Sequence, residues 1–155
     1  MWNVVSDGPE KPKTSELAWE LMLRDYPFSS YWEWDMLDEI FPQPSSVTER
    51  TFVPNIESDE EYKNLSVENL KEKSLLDRCI TLRERLILEL QYNEASNGNH
   101  LDHQSVTLCA GGPQDPKGLS VAGIAFRKEV DGGFRLDSWD IKYSYDHVRA
   151  RIANE

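Results

Sequence analysis

Apolar and polar residues follow two different periods along this chain. Up to about residue 93 the apolar positions recur at three and four residues, the helical spacing. After "EASNGNH" (94–100) they fall into runs that alternate at two, the spacing of strands. Leu75, Cys79, Leu82 and Leu86 carry the helical period, and Thr81 and Glu84 have capping-box spacing, so 75–93 is expected to be mainly helical. Leu86, Leu88, Leu90 and Tyr92 also alternate, which makes a strand over 86–92 the competing reading. Earlier, "SDGPEKPK" (6–13) reads as a loop, and helices are expected over 15–25, stopped by Pro27, and over 31–41. The second has Ser30 and Glu33 as its capping box and Pro42 and Pro44 beyond its end. Residues 42–57 read as extended, with a short strand at "RTFV" (50–53); Ser58 and Glu61 open a short helix leading into another over 67–73.

Three strands are expected next, at 105–111, 119–130 and 134–145. Asp131-Gly132-Gly133 joins the last two, because Asp-Gly suits the positive-φ positions of a hairpin turn. Phe134 and Leu136 share one face of the third strand, whereas Trp139, Ile141, Tyr143 and Tyr145 share the other. A bulge near Asp137–Ser138 would bring both sets to one side. Asp146 would cap a final helix in which Val148 and Ile152 lie four apart. The fold expected is α+β in one domain, 1–155: N-terminal helices packed with a C-terminal three-stranded antiparallel meander and a short closing helix. Residues 1–65 form an acidic, aromatic-rich helical part and 66–155 a helix plus antiparallel sheet.

Charge adds the functional dimension. The 28 acids and 17 bases of the 155 residues give a net charge of −11, which repels phosphate backbones and argues against direct nucleic-acid binding. It suits a basic protein partner. Residues 1–65 hold 14 acids and 5 bases, a net of −9, and four of the five Trp: Trp2, Trp19, Trp32 and Trp34. Residues 66–155, with 14 acids and 12 bases, carry only −2. No apolar run reaches the roughly 20 residues of a membrane span. The first residues lack the basic and apolar regions of a signal peptide. The expected compartment is the cytoplasm, with Cys79 and Cys109 reduced.

The stretch "YPFSSYWEWDMLDEIF" (26–41) carries the most pointed surface. On a helix, Trp34, Leu37, Ile40 and Phe41 cover one arc, and Trp32 and Met36 widen it to about 200°. Asp35, Asp38, Glu39 and Tyr31 fill the rest. A core-facing helix needs an apolar stripe of only about 100° or somewhat more. The excess must be covered by another element, a second copy or a partner. Trp32, Trp34, Asp35, Met36, Asp38 and Glu39 are therefore the expected protein-binding residues, aromatic anchors within an acidic rim. A homodimer through the wide apolar arc is a further reading.

Catalytic chemistry has three candidate places. His100, Asp102 and His103 in "NHLDH" are suitable ligand types for zinc or iron, although the bland role of a polar loop suits them too. Asp137 and Asp140 are paired carboxylates able to divide acid and base roles if their environments differ. Cys109 in "TLCAGG" could act as a nucleophile with His100 or His103 as base. "AGGP" lacks the Lys and Ser/Thr of a phosphate loop. No cofactor and no metal are expected in the leading reading; a small hydrolase, with or without a metal, using His100, Asp102 and His103, or Asp137 and Asp140, is the alternative.

Residues 81–151, with "TLRERLILELQYNEASNGNHLDHQSVTLCAGG" and "YDHVRAR", resemble short uncharacterised proteins of bacteria and their phages. The resemblance covers under half the chain and implies a source rather than a mechanism. Small acidic proteins of that kind often act as inhibitors, immunity proteins or regulators by binding one target, and the resemblance tilts the reading toward binding and no further.

Overall fold

Thr81 begins the central element. Its hydroxyl accepts the Glu84 backbone N–H at 3.1 Å, and Glu84 Oε1 accepts the Thr81 N–H at 2.9 Å, so the expected capping box is complete. The structure, a computed structural model, describes residues 2–5, 16–20, 28–30, 49–57, 60–111, 120–127, 133–145 and 147–154; at 28–30, 120, 126 and 127 it describes the backbone alone. The strands are β1 (Trp2–Val5), β2 (Phe28–Ser30), β3 (Glu49–Phe52), β4 (Val106–Leu108), β5 (Ser120–Arg127), β6 (Gly133–Asp140) and β7 (Val148–Ala150). The helical stretches are α1 (16–20), α2 (Val67–Glu72) and α3 (Leu82–Ala95). The fold is mixed α+β with two sheets.

The larger sheet has the order β2-β6-β5-β4-β7 and is mixed rather than a plain three-stranded meander. β5 runs antiparallel to both β4 and β6, while β2 lies parallel to β6 and β7 parallel to β4. The β5–β6 register is unbroken from Ser120↔Asp140 to Arg127↔Gly133. The expected bulge is therefore absent. β6 ends at Asp140, and its two apolar sets serve two different cores. Phe134 and Leu136 join Ala122, Ile124 and Cys109 on one face, packed by Leu82 and Leu86 of α3 and by Ala18 and Trp19 of α1. Trp139 lies with Val121 and Ala125 on the other face, covered by Val67 and Leu70 of α2 and by Cys79.

α3 lies between the sheets. Leu82 and Leu86 face the large sheet, while Ile87 and Leu88 pack with Val4 of β1 and Phe52 of β3. Every residue from Leu82 to Glu89 is buried. The helix starts at Leu82 rather than near 75: Leu76–Arg78 is a 3-10 turn and Cys79 is extended, and 86–92 is helix rather than strand. α2 is capped by Ser66 and Asn69 in a second box, an Asn variant of the usual Glu/Gln pattern. Glu60–Tyr62 is a 3-10 turn; its expected cap, Ser58, lies outside the described residues. Ser30 belongs to β2, and the helix expected over 31–41 lies outside the described residues, as do the loop at 6–13 and positions 15 and 21–25 of the earlier helix.

The expected closing helix is a strand. Val148 and Ala150 alternate into the core while Arg149 and Arg151 point the other way. The extended chain then stitches the two sheets together. Ile80 N–H donates to Arg151 O at 2.8 Å, Ala153 N–H to Arg78 O at 2.8 Å and Asn154 N–H to Thr51 O at 2.9 Å. A helix would forfeit all of these. Arg50 of β3 adds a clamp, with Nε on Glu84 Oε2 at 2.8 Å and Nη2 on Cys79 O at 2.7 Å.

Gly111 ends the β4 run where the chain crosses Cys79. A Cβ there would stand 1.8 Å from Cys79 O, and the Gly111 N–H is bonded to Ile80 O at 3.2 Å. Backbone cannot yield as a flexible side chain can. Gly111→Ala is expected to destabilise the protein by about 1–3 kcal/mol, the range for overpacking, read as a lowered urea midpoint at unchanged m-value.

Candidate functional site

The sequence candidates His100, Asp102 and His103 enter the structure as parts of an interior network. Asp102 is fully buried and takes a left-handed backbone conformation, φ +61°, which Asp tolerates better than most residues. Its carboxylate sits between two arginines. Arg85 of α3 places Nη2 at 2.9 Å and Nε at 3.1 Å from Oδ2, and Arg151 places Nη2 at 2.8 Å from Oδ1. The Thr107 hydroxyl donates to Oδ2 and accepts from Arg151 Nε at 3.0 Å. Arg151 also donates to the carbonyls of Asn55 and Ile56, at 2.9 and 3.0 Å. Burial by itself would raise the Asp102 carboxyl. The Arg151 charge, then the Arg85 charge, and the hydrogen bonds from Thr107 and Arg151 outweigh it and hold the group below the usual carboxylate range. Burial likewise opposes the Arg85 charge, and Asp102 and Glu89 outweigh it, so that guanidinium is held above its ordinary value.

The histidines stand around this network without converging. His100 is buried, edge-on to Phe134 at 4.8 Å, with Nδ1 3.5 Å from Glu89 Oε2. His103 has Nε2 2.7 Å from the His100 carbonyl oxygen. Asp102 has both oxygens committed to arginines. Among the described residues no three His, Cys, Asp or Glu side chains are grouped to hold a metal ion. The neighbouring backbone is tied down by Glu57, whose carboxylate accepts the N–H groups of His103, Gln104 and Ser105 at 2.9–3.1 Å. Cys109 is fully buried, and burial, the largest influence, pushes its thiol up to about 12. Cys79 is driven the same way, to about 12. Neither supplies thiolate at neutral pH, so Cys109 lacks what a nucleophile needs.

Arg85, Arg151, Glu89 and Thr107 are missed by sequence reasoning. A faint signal exists: Arg151 lies between apolar Ala150 and Ile152, and Arg85 lies between Leu82 and the apolar Leu86-Ile87-Leu88.

Asp137 and Asp140 are not a paired acid and base. Three residues apart on an unbulged strand, they leave β6 on opposite faces. Asp137 Oδ2 accepts Arg135 Nε at 2.6 Å, and Asp140 Oδ1 accepts the Lys142 N–H at 2.8 Å. Asp137 does border a cleft of about 240 Å³ on that face of the sheet, together with Gly123, Arg135, Trp139 and His147. A shallower depression of about 400 Å³ shares Arg135, Asp137 and Trp139 and extends to Asp140 and Tyr145 around the strand's end. Trp139 and His147 line the cleft, and Tyr145, which borders the depression, packs against both. Trp139 is 5.0 Å from Tyr145 and 5.7 Å from His147, with interplanar angles of 70° and 69°; Tyr145 and His147 are 6.3 Å apart. The indole lies over Gly123, where a Cβ would come within 2.3 Å of Nε1. That Nε1 is buried and has no acceptor among the described residues.

Trp32, Trp34, Asp35, Met36, Asp38 and Glu39, the expected protein-binding residues, lie outside the described residues. Comparison with protein-family models, with curated proteins and with solved structures finds no match to this chain.

The network gives a direct test. Asp102→Asn keeps the side chain's size and its tolerance of positive φ, and removes one charge between two arginines. The variant is expected to lose about 3–5 kcal/mol, the cost of stranding a buried charge. Because the folded pKa of Asp102 lies below its unfolded value, its contribution is fully present above about pH 4 and is lost as pH falls through the folded value. Urea titrations across pH 2–7 should show a steeper acid loss in the wild type than in Asp102→Asn.

Proposed function

We propose that the protein acts by stoichiometric protein–protein binding in the cytoplasm, as an inhibitor, immunity protein or regulator whose acidic, aromatic face engages a basic partner surface. The observation that carries this reading is where the charge goes. The buried charged side chains among the described residues are Arg83, Arg85 and Arg151 against Glu84, Glu89 and Asp102. Three cations and three anions sum to zero, so the net −11 lies outside that interior. Groups that could have served chemistry, Asp102 and Cys109, are spent inside, while the excess carboxylates remain for electrostatic steering.

The sequence concentrates those carboxylates in residues 1–65, beside Trp32, Trp34 and Met36. The reading places the binding face on a helix over 31–41, packed with the helix containing α1 against the sheet, with Trp34 on the inner arc and Trp32 and Met36 flanking Asp35, Asp38 and Glu39. A competitor for a nucleic-acid-binding groove is one such use: the acids would present to the basic groove what phosphates present. No helix among the described residues is long and apolar enough to cross a membrane.

Affinity capture on the immobilised chain, with mass spectrometry, identifies the partner. Trp32→Ala with Asp38→Asn is then expected to weaken binding by tenfold or more, the scale of a hot-spot loss, and to flatten the dependence of affinity on salt. Unchanged affinity with an intact fold would sink the assignment of this face.

A further inference from the structure

We propose that the cleft over Gly123 receives a basic side chain, arginine or lysine, from an extended segment of the protein partner. This rests on the stoichiometric-binding reading and adds to it a place and a ligand chemistry. The cleft has a fixed wall. Gly123 has no Cβ, so the Trp139 indole settles onto the β5 backbone, and Tyr145 and His147 brace it edge-on at 5.0 and 5.7 Å. Aromatic faces attract cations, tryptophan most strongly.

The charges around the wall select the same sign. Arg135, the cation among the lining residues, already has Asp137 on its Nε at 2.6 Å. Asp137 Oδ1 and Asp140 Oδ2 accept no hydrogen bond among the described residues. A guanidinium or ammonium entering the cleft finds an acceptor in Asp137, whose Oδ1 is open to it. An anion would have to displace Asp137 from Arg135, and would approach a chain of net charge −11.

Size narrows the ligand further. At about 240 Å³ the cleft falls below the roughly 300–1,000 Å³ of typical small-molecule sites. It suits one long side chain. Trp139 Nε1 is packed against Gly123 and has no acceptor among the described residues, so an incoming side chain meets the ring and not the N–H.

The experiment follows the indole itself. In ¹⁵N-labelled protein the Trp139 indole cross-peak is assigned by its loss in Trp139→Phe, and the wild type is titrated to millimolar concentrations with acetyl-Gly-Arg-Gly-Arg-Gly-amide, its lysine counterpart and its glutamate counterpart. The expected result is a saturable shift of that cross-peak with the basic peptides and none with the acidic one. Asp137→Asn, a partly exposed position, should weaken the titration by threefold or more while the rest of its spectrum is unchanged. A stationary Trp139 cross-peak, or an equal shift with the glutamate peptide, overturns the proposal. If the Trp32 and Trp34 cross-peaks move while that of Trp139 stays still, the cleft is not the site but binding of a basic partner survives. If all five indole cross-peaks stay still with the basic peptides, the cleft proposal fails, and partner capture then judges the wider reading by itself.

Discussion

One carboxylate holds the described structure in register. Asp102 joins segments far apart in sequence: Arg85 from the central helix, Arg151 from the last strand's continuation, Thr107 from the middle of the sheet and, through its own N–H, the Ile56 carbonyl at 2.7 Å. A buried ion pair of this kind is no great source of net stability, because desolvation consumes most of the attraction. Its leverage is specificity. An arrangement that misplaces any one of these segments strands a charge in the interior, which costs far more than a lost apolar contact. The left-handed backbone at Asp102 fits this role: strained conformations persist where their surroundings over-determine them.

That constraint orders the rest. With Asp102 in place, Arg151 fixes the C-terminal chain as an extended strand, and the extended chain bonds to Arg78, Ile80 and Thr51. The two sheets are thereby held on opposite sides of α3. The same economy explains the surface. An interior whose charges cancel leaves the acidic excess outside, and a sheet whose two faces hold separate cores leaves the end of β6 bordering an open cleft. Binding at a charged, aromatic surface asks only that a stable interior display it.

Much of the fold was legible where local signals decide it. The Thr81–Glu84 box is the cap α3 uses, although the apolar period carried the expected helix back to 75, and the alternating runs around Asp131-Gly132-Gly133 located β5 and β6. Local signals misled where tertiary context overrides them. Leu75, Cys79, Leu82 and Leu86 look like one helical stripe, but Cys79 bonds to the C-terminal strand instead. Val148 and Ile152 are four apart, yet they lie in extended chain because β4 offers Val148 a partner. β1 and β2 carry too few residues for periodicity to register. The change of faces in β6 suggested a bulge only because both faces of the sheet are covered, a fact no single strand reveals. Of the candidate site, Asp102 was noticed for the wrong chemistry: the residue type suits a metal, and only the fold brings the two arginines to it. The cleft was half legible, in Asp137 and in Trp139; its Gly123 floor depends on cross-strand register.

Native-state hydrogen exchange at increasing urea tests this account most directly. If Asp102 registers the fold, the Asp102 amide, bonded to Ile56 O, and the Ile80 and Ala153 amides of the C-terminal stitching should open only with global unfolding, at the same free energy as the core of α3. An Asp102 amide that exchanges at a markedly lower free energy while α3 stays protected would contradict it, making the network an ornament on a fold held by other means.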